Sequence, residues 1–498
     1  MILWTFTTET EMTHKFSLAA ALVWLLAAFS TAAVAADETD AFADEDALLA
    51  RASEPWVGDL DGMVERGFVR VLTTHNPLFF HYDGNQLRGI VFELTTAFQE
   101  RLRKTQRRAG PPLDVMLIPV RRDELFTKLL DGRGDIAVAN LTITPDREKL
   151  VDFSIPFYAD VRELVVTGPA APEIASFDDL ATSEVYVRRS SSYFEHLSAL
   201  NATRRKESKK AIPVREADER LEDYDLLDLV NAGIIPAVVV DSHKAALWAQ
   251  VFDDIRVHDD LAVNTGGSIA WAVRKDSPHL KAAVDDFVTT AAKGTAFGNV
   301  LIKRYLRSAK WMENALAAGE RRKLSETVDF IKRHADTYGF DWLMVAAQGY
   351  QESTLDQRKR SPVGAVGIMQ LMPTTANDPN VGIPDIHLAD RNVEAGVKYL
   401  RFLRERYFDD PKIAPFDRAL FSFAAYNAGP GNIAKARRKA AAMNLDPNVW
   451  FDNVEIAAGR VISREPVVYV RNVFKYYTAF KLFHEAGKER EAARETGR

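Results

Sequence analysis

The stretch Asp341 to Ala376, DWLMVAAQGYQESTLDQRKRSPVGAVGIMQLMPTTA, reads as a short buried helix that carries one carboxylate into a glycine-rich turn. Asp341 is a plausible N-cap, and the apolar run Trp342 to Ala347 follows it directly. This places Glu352 about three turns on, near the helix C-terminus. There the negative end of the helix dipole and apolar neighbours both disfavour the ionised carboxylate, and a raised pKa is what a general acid needs at neutral pH. Gly364 and Gly367 bracket a tight turn, Met369 and Gln370 follow, and Pro373, Thr374 and Thr375 close the segment. Position alone favours a solvated glutamate at a helix end. The segments that accompany Glu352 elsewhere in the chain reverse that reading.

Phe423 to Gly431 reads FAAYNAGPG, and Arg464 to Asn472 reads REPVVYVRN. Glu352-Ser353, GIMQLMPTTA, AYNAG and the late Glu465-Pro466-x-x-Tyr469 occur in one order, and together they resemble the soluble lytic transglycosylase (SLT) family, over residues 320 to 485. The resemblance implies a mainly α, lysozyme-like domain acting on the β-1,4 bond between N-acetylmuramic acid and N-acetylglucosamine in peptidoglycan. Water-using glycosidases generally carry two carboxylates. The resemblance implies one: Glu352 protonates the glycosidic oxygen, then takes the proton from the muramic acid C6 hydroxyl, which closes on C1 to give a 1,6-anhydro end. It also implies that Ser353, Met369 and Gln370 line the sugar cleft, that Tyr426 and Asn427 hold the muramic acid region, and that Tyr469 orients Glu352. Each has a structural alternative: Asn427 to Gly431 is also a helix stop and turn, and Tyr469 shares an apolar face with Val473 and Tyr476. Asp356, one turn after Glu352, is read as a helix-end or loop residue; facing the cleft, it would make hydrolysis the rival chemistry.

A chain of 498 residues exceeds one core and implies several domains. With no cysteine there is no disulfide framework, thiolate metal site or N-terminal lipidated cysteine. The ten histidines form no H-E-x-x-H pair and no phosphate-cradling G-x-x-x-x-G-K occurs, so neither metal nor cofactor is expected. Residues 12 to 36 have the parts of a secretory signal, with Lys15, an apolar core from Leu18 to Phe29 and a small-residue exit at Ala33 to Ala36. The expectation is a signal peptide over 1–36, with Met12 as the alternative start. The apolar core is shorter than the roughly 20 residues a membrane span needs. Residues 37–55 read as a disordered acidic leader.

From Gly67 the chain alternates FVRVLTT, GIVFELTTAFQERL, DVMLIPV, a helix around Glu124 to Asp131 and DIAVAN, which argues an α/β domain with a mostly parallel sheet. After the last of these strands comes GDIAVANLTITPDREKLVDFSIPFY, Gly134 to Tyr158, where Thr142, Thr144 and Arg147 gather donors suited to a carboxylate. This stretch resembles the amino-acid-binding members of the periplasmic solute-binding proteins, family 3, over residues 65 to 305. The resemblance implies two lobes, with Thr142 and Arg147 on a ligand α-carboxylate and Asp241, ending IIPAVVVD, on its amine. A module over 56–305 is expected, with lobe 1 at 65–167 and 264–305, lobe 2 at 168–263, and crossings near Arg162 to Thr167 and Asn264 to Arg274. Ser190 to Ser192 would add donors from lobe 2. The polar insertion Asn201 to Arg220 reads as a solvated loop or helix surface.

Residues 306–323 read as a helical linker, 324–485 as the SLT domain and 486–498 as a charged tail. Residues 320–498 hold 28 Lys+Arg against 23 Asp+Glu in a chain of net charge −6, so weak attraction to acidic wall stems is possible there. No basic, aromatic-interleaved groove points to nucleic acid. The order of signal, solute-binding module and SLT module resembles membrane-associated lytic transglycosylases. It implies a periplasmic enzyme held peripherally at the outer membrane, with peptidoglycan as substrate and an amino acid or wall-derived peptide regulating it through the first module. A non-catalytic peptidoglycan receptor and a lysozyme-type hydrolase remain the alternatives.

Overall fold

The computed structural model describes residues 52, 54–76, 78–83, 86–106, 112–306 and 321–495. The expected signal and most of the acidic leader and of the linker lie outside the described residues. The described residues of 55–441 and 445–498 make one compact unit.

The described strands are β1 (Phe68–Thr73), β2 (His81–Asp83), β3 (Gln86–Arg88), β4 (Asp114–Pro119), β5 (Ile136–Thr142), β6 (Asp152–Phe153), β7 (Tyr158–Thr167), β8 (Val185–Arg188), β9 (Val214–Ala217), β10 (Ala237–Asp241) and β11 (Arg256–Val273). One sheet runs β4-β1-β5-β11-β7-β10-β8-β9, with β6 on β11. Its flanks are parallel, β1 with β4 and β5, and β8 with β9 and β10. Its centre is antiparallel, because β7 carries the chain out of lobe 1 and β11 brings it back. β7 pairs with β10 through Glu163 to Thr167, while β11 pairs with β5 through Ile269 to Val273. Arg162 to Thr167 lies on β7 and Asn264 to Val273 on β11.

In lobe 1 the alternation of strand and helix buries Phe98 edge-on against Trp271, with ring centroids 5.5 Å apart, and Phe287 joins them. Each such ring contributes about 1.5–3 kcal/mol by burial. Beneath the sheet the fully buried Asp135 carboxylate is held by Arg66, Arg70 and Arg274, which satisfies a charge that would otherwise be costly in the core.

The insertion Asn201 to Arg220 is mostly the solvated loop and helix surface expected, with Asn201, Arg204 and Ile212 buried. It completes the helix Ser192–Lys206 and supplies β9. Asn201 and Arg204 are buried: the Asn201 amide exchanges hydrogen bonds with the backbone of Ile212, and Arg204 reaches Lys210 O and Asp178. Charge content does not reveal these few buried residues, because long side chains bury their stems and find partners several residues away.

The C-terminal half is helical. Trp342–Ser353 is buried from Leu343 through Tyr350 and packs on Arg321–Tyr338 and on the long helix Arg464–Glu495. The Asp341 side chain caps it by accepting from Leu343 N at 2.9 Å. The long helix runs on through most of the segment expected as a tail. After Thr354 and Leu355, both with positive φ, the chain turns into the glycine segment. Gly367 has φ +77, and a Cβ there would lie 2.5 Å from the Gln357 amide. Gly396, on the helix Ala389–Tyr407, lets Met369 approach so closely that a Cβ would meet it at 2.7 Å.

Both lobes touch the helical half. β2 packs on the helix Glu455–Val461. From lobe 2, Asp228 pairs with Lys475 at 2.6 Å with both side chains buried, and the Arg220 guanidinium lies 5.1 Å above the Phe416 ring.

Candidate active site and solute-binding cleft

Glu352 stands in the last turn of Trp342–Ser353, half-buried, with the left-handed Thr354 closing the helix behind it. Burial pushes its carboxyl up to about 7, against the hydrogen bond from Tyr469 and the positive charge of Lys359, which both favour the ionised form. Tyr469 Oη donates to Glu352 Oε1 at 2.6 Å, and Lys359 Nζ donates to the Glu352 carbonyl at 2.8 Å. Burial, reinforced by the Glu352 charge, holds the hydroxyls of both Tyr426 and Tyr469 well above the ordinary phenol range, so both stay protonated. The result is a carboxyl that carries a proton near neutrality beside a fixed hydrogen-bond donor, which suits transfer of that proton and its later recovery. Asp356 is turned elsewhere, accepting from Arg358 N at 2.9 Å and pairing with its guanidinium.

The residues expected to line the sugar cleft divide. Tyr426 Oη donates to Met369 O at 2.7 Å, tying the end of the helix Pro415–Ala428 to the glycine segment. Gln370 is half-exposed with φ +42, its amide donating to Gly367 O at 2.8 Å. Asn427 is half-exposed and reaches toward Glu465 at 3.5 Å. Ser353 and Met369 differ from the expectation. Ser353 is 1% exposed and its hydroxyl is spent on Ile368 O, so it fastens the helix end to the turn. The Met369 side chain is fully buried against Gly396, which leaves its backbone as the part near the site.

Two buried amides escaped the sequence reading. Asn392 accepts from Met369 N at 2.8 Å and donates to Val366 O and Ile386 O, setting the glycine segment's course. Gln348 Nε2 donates to Tyr469 Oη at 3.2 Å. A polar residue inside an apolar helical run was the available signal for Gln348.

The N-terminal cleft is closed on itself. Arg147 spends its guanidinium on Glu195 Oε1 at 2.9 Å, Ser190 O at 2.9 Å and Thr142 O at 3.0 Å. Thr144 caps its helix by accepting from Arg147 N. The Thr142 hydroxyl lies 3.2 Å from Ser192 Oγ. Asp241 is fully buried, held by Lys244 Nζ at 2.9 Å and Asn140 Nδ2 at 2.8 Å, and Lys244 also meets Asp223 at 2.6 Å. Thus the groups expected to hold a ligand carboxylate and amine hold the chain's own Glu195 carboxylate and Lys244 ammonium. The cavity left among Arg122, Thr142, Arg147, Ser192 and Tyr193 is small, about 30 Å³, with room for water. Asn76 and Arg122 of lobe 1 both reach Glu222 of lobe 2, adding to the closure.

Two families match the chain: bacterial extracellular solute-binding proteins, family 3, over residues 69–305, and the transglycosylase SLT domain over residues 329–448. A membrane-bound lytic murein transglycosylase F from Desulfosudis oleivorans is 30% identical over 434 residues, covering 84% of this chain and 90% of the relative. A protein of the same name from Pseudomonas fluorescens is 28% identical over 441 residues, covering 84% and 85%. The solved structure of an ancestral amino acid-binding protein is 25% identical with a TM-score of 0.39, covering 50% of this chain and 98% of that one.

Proposed function

Because this chain belongs to the membrane-bound lytic murein transglycosylase F family, we propose that Glu352 is the single carboxyl group through which it cleaves peptidoglycan. The enzyme is a lytic murein transglycosylase, a lyase acting on the wall polymer. Glu352 gives its proton to the glycosidic oxygen between N-acetylmuramic acid and N-acetylglucosamine as the bond to C1 breaks. Its carboxylate, steadied by Tyr469, then takes the proton of the muramic acid C6 hydroxyl, whose oxygen bonds to C1. The proton returns to Glu352, no water is consumed, and the product ends in a 1,6-anhydro ring. The observation that carries this reading is the Glu352 carboxyl raised to about 7 by burial while bonded to Tyr469. Tyr426, Asn427 and Gln370 are assigned to the sugar.

The pH profile tests it. The free enzyme must hold the proton on Glu352, so kcat/KM should fall about tenfold per unit above a pKa near 7. The ionised carboxylate needed in the second step is made by the first, so Glu352 sets no acid limb. A bell with a second carboxylate limb below pH 5 would mean a two-carboxylate hydrolase.

The N-terminal module is assigned an amino acid or wall-derived peptide, whose carboxylate displaces Glu195 from Arg147. Ligand binding would then reach Glu352 through Asp228 and Lys475, since Lys475 shares its helix with Tyr469. An effector regulates only by binding the two states of the cleft differently, and Glu195 supplies that difference by competing in one of them. Calorimetric titration of a stem peptide should give at least about tenfold tighter binding to Glu195→Ala and loss of binding to Arg147→Ala. Equal affinity in all three proteins would remove the assigned site. We also assign export to the periplasm and peripheral attachment at the outer membrane, supported by residues 12–36 and by the membrane-bound relatives. Among the described residues no helix is long and apolar enough to cross a membrane.

A further inference from the structure

Gln348 lies one turn before Glu352 on the same face of the Trp342–Ser353 helix and is fully buried. Its Nε2 donates to Tyr469 Oη at 3.2 Å, while its Oε1 has no hydrogen-bond partner among the described residues. A buried amide with one half spent and the other idle is costly, because the oxygen has lost its water without gaining a partner. A leucine or methionine would fill the space without that cost. The idle oxygen therefore calls for a state of the site in which it is used.

The chemistry of Glu352 supplies that state. With Glu352 ionised, the Tyr469 proton points to Oε1 of the carboxylate at 2.6 Å, and the phenol oxygen is free to accept from Gln348 Nε2. With Glu352 protonated, that donation is no longer demanded. A carboxylic O–H can point at the phenol oxygen, and the Tyr469 proton then needs a different acceptor. Gln348 Oε1 is on the same amide and serves after a half-turn of the amide group, Nε2 and Oε1 exchanging places. We propose that Gln348 is a positioning residue that lets the Tyr469 hydroxyl reverse its hydrogen bond as Glu352 passes between protonated and ionised forms. An amide carries a donor and an acceptor of nearly equal shape, so it complements both directions of the Tyr469 bond. A side chain with only one of these, or neither, favours one protonation state of Glu352 over the other. This rests on the roles given to Glu352 and Tyr469 above.

The titratable groups that act on Glu352 or feel its charge are Lys359 on the following turn, Tyr426 on the helix Pro415–Ala428 and Tyr469 on the long helix. Gln348 carries no charge, so its effect on Glu352 passes through Tyr469. The test compares the full chain with Gln348→Met, which nearly keeps the volume, and with Gln348→Glu, on a soluble glycan oligosaccharide. Gln348→Met removes both the donor that supports the ionised form of Glu352 and the acceptor that supports the protonated form, so Tyr469 can no longer reverse its bond. The alkaline limb of kcat/KM should move by about half a unit or more, in the direction set by the larger of the two losses, and kcat should fall about tenfold, with KM within a factor of about two. Gln348→Glu should regain activity on the acid side, where its own buried carboxyl is protonated and offers both donor and acceptor, and lose it as that group ionises. Thermal unfolding of each variant separates these shifts from loss of the fold. An unmoved limb in a folded Gln348→Met enzyme, whether or not kcat drops, overturns the proposal. So does a pH-independent effect in Gln348→Glu. If Glu352→Gln is inactive in the same assay, that failure leaves the role of Glu352 standing; an active Glu352→Gln enzyme removes both.

Discussion

Glu352→Gln should lower turnover of peptidoglycan by about 10³-fold to 10⁴-fold while leaving the protein folded. The amide keeps the shape of the carboxyl and still accepts from Tyr469, but it has no proton to give the leaving oxygen and no charge with which to take one back. In the proposed mechanism both halves of the reaction pass through this group, so no second residue would cover for it. Stability should move the other way. The folded-state pKa of Glu352 is raised to about 7 from an ordinary value of 4.5, so the folded protein binds more protons than the unfolded chain between these values. Stability contributed by the protonated form is present below about 4.5 and lost as pH rises toward 7. Glu352→Gln has no such loss, and at pH 8 its melting temperature should equal or exceed that of the parent. Thermal scans at pH 5 and pH 8 check the sign. A variant that melts earlier at pH 8 would mean that the carboxylate is a stabilising partner in the fold.

Lys475→Met carries the second large effect. Lys475 and Asp228 pair at 2.6 Å with 5% and 4% of their side chains exposed, joining lobe 2 to the helix that bears Tyr469. Removing the ammonium leaves Asp228 buried without its counter-charge, a loss of about 3–5 kcal/mol where two partners are so enclosed. Asp225, already raised to about 6 by burial with Lys475 holding it down, would be pushed higher. The double variant Asp228→Asn with Lys475→Met should recover most of the stability, because neither charge is then left alone. Melting temperatures of the single and double variants measure this. Full recovery of stability without recovery of ligand-dependent activity would identify the pair as the link between modules. A single variant that melts with the parent would show that the pair contributes little.

Part of this architecture could be read from residue order. Asp341 followed by an apolar run fixes where the Trp342–Ser353 helix begins, and helical rise then fixes how far along Glu352 stands. Strand and helix alternation gave the parallel flanks of the sheet, and the antiparallel pair β7 and β11 follows from a chain that leaves lobe 1 and returns. What spacing does not reveal is which way a side chain points. Ser353 and Met369 lie beside the site in sequence and turn into the core, because Gly349 and Gly396 leave room for the turn to press against the helices. Long-range partners are equally hidden. Nothing near Arg147 announces that Glu195, 48 residues on, fills its guanidinium, nor that Lys244 rather than a ligand amine meets Asp241. Gln348 is hidden for the opposite reason: it sits inside an apolar run, and its hydrogen bond to Tyr469, 121 residues away, separates it from the core around it.

The most direct measurement is mass spectrometry of the products released from purified peptidoglycan by the full chain and by Glu352→Gln. A single carboxyl acting as acid and then base predicts muropeptides one water lighter than hydrolytic ones, formed by the parent and missing from the variant. Hydrated reducing ends from the parent would contradict it and require a second carboxylate to activate water. No products from the parent would mean that the helical module binds the wall without cutting it.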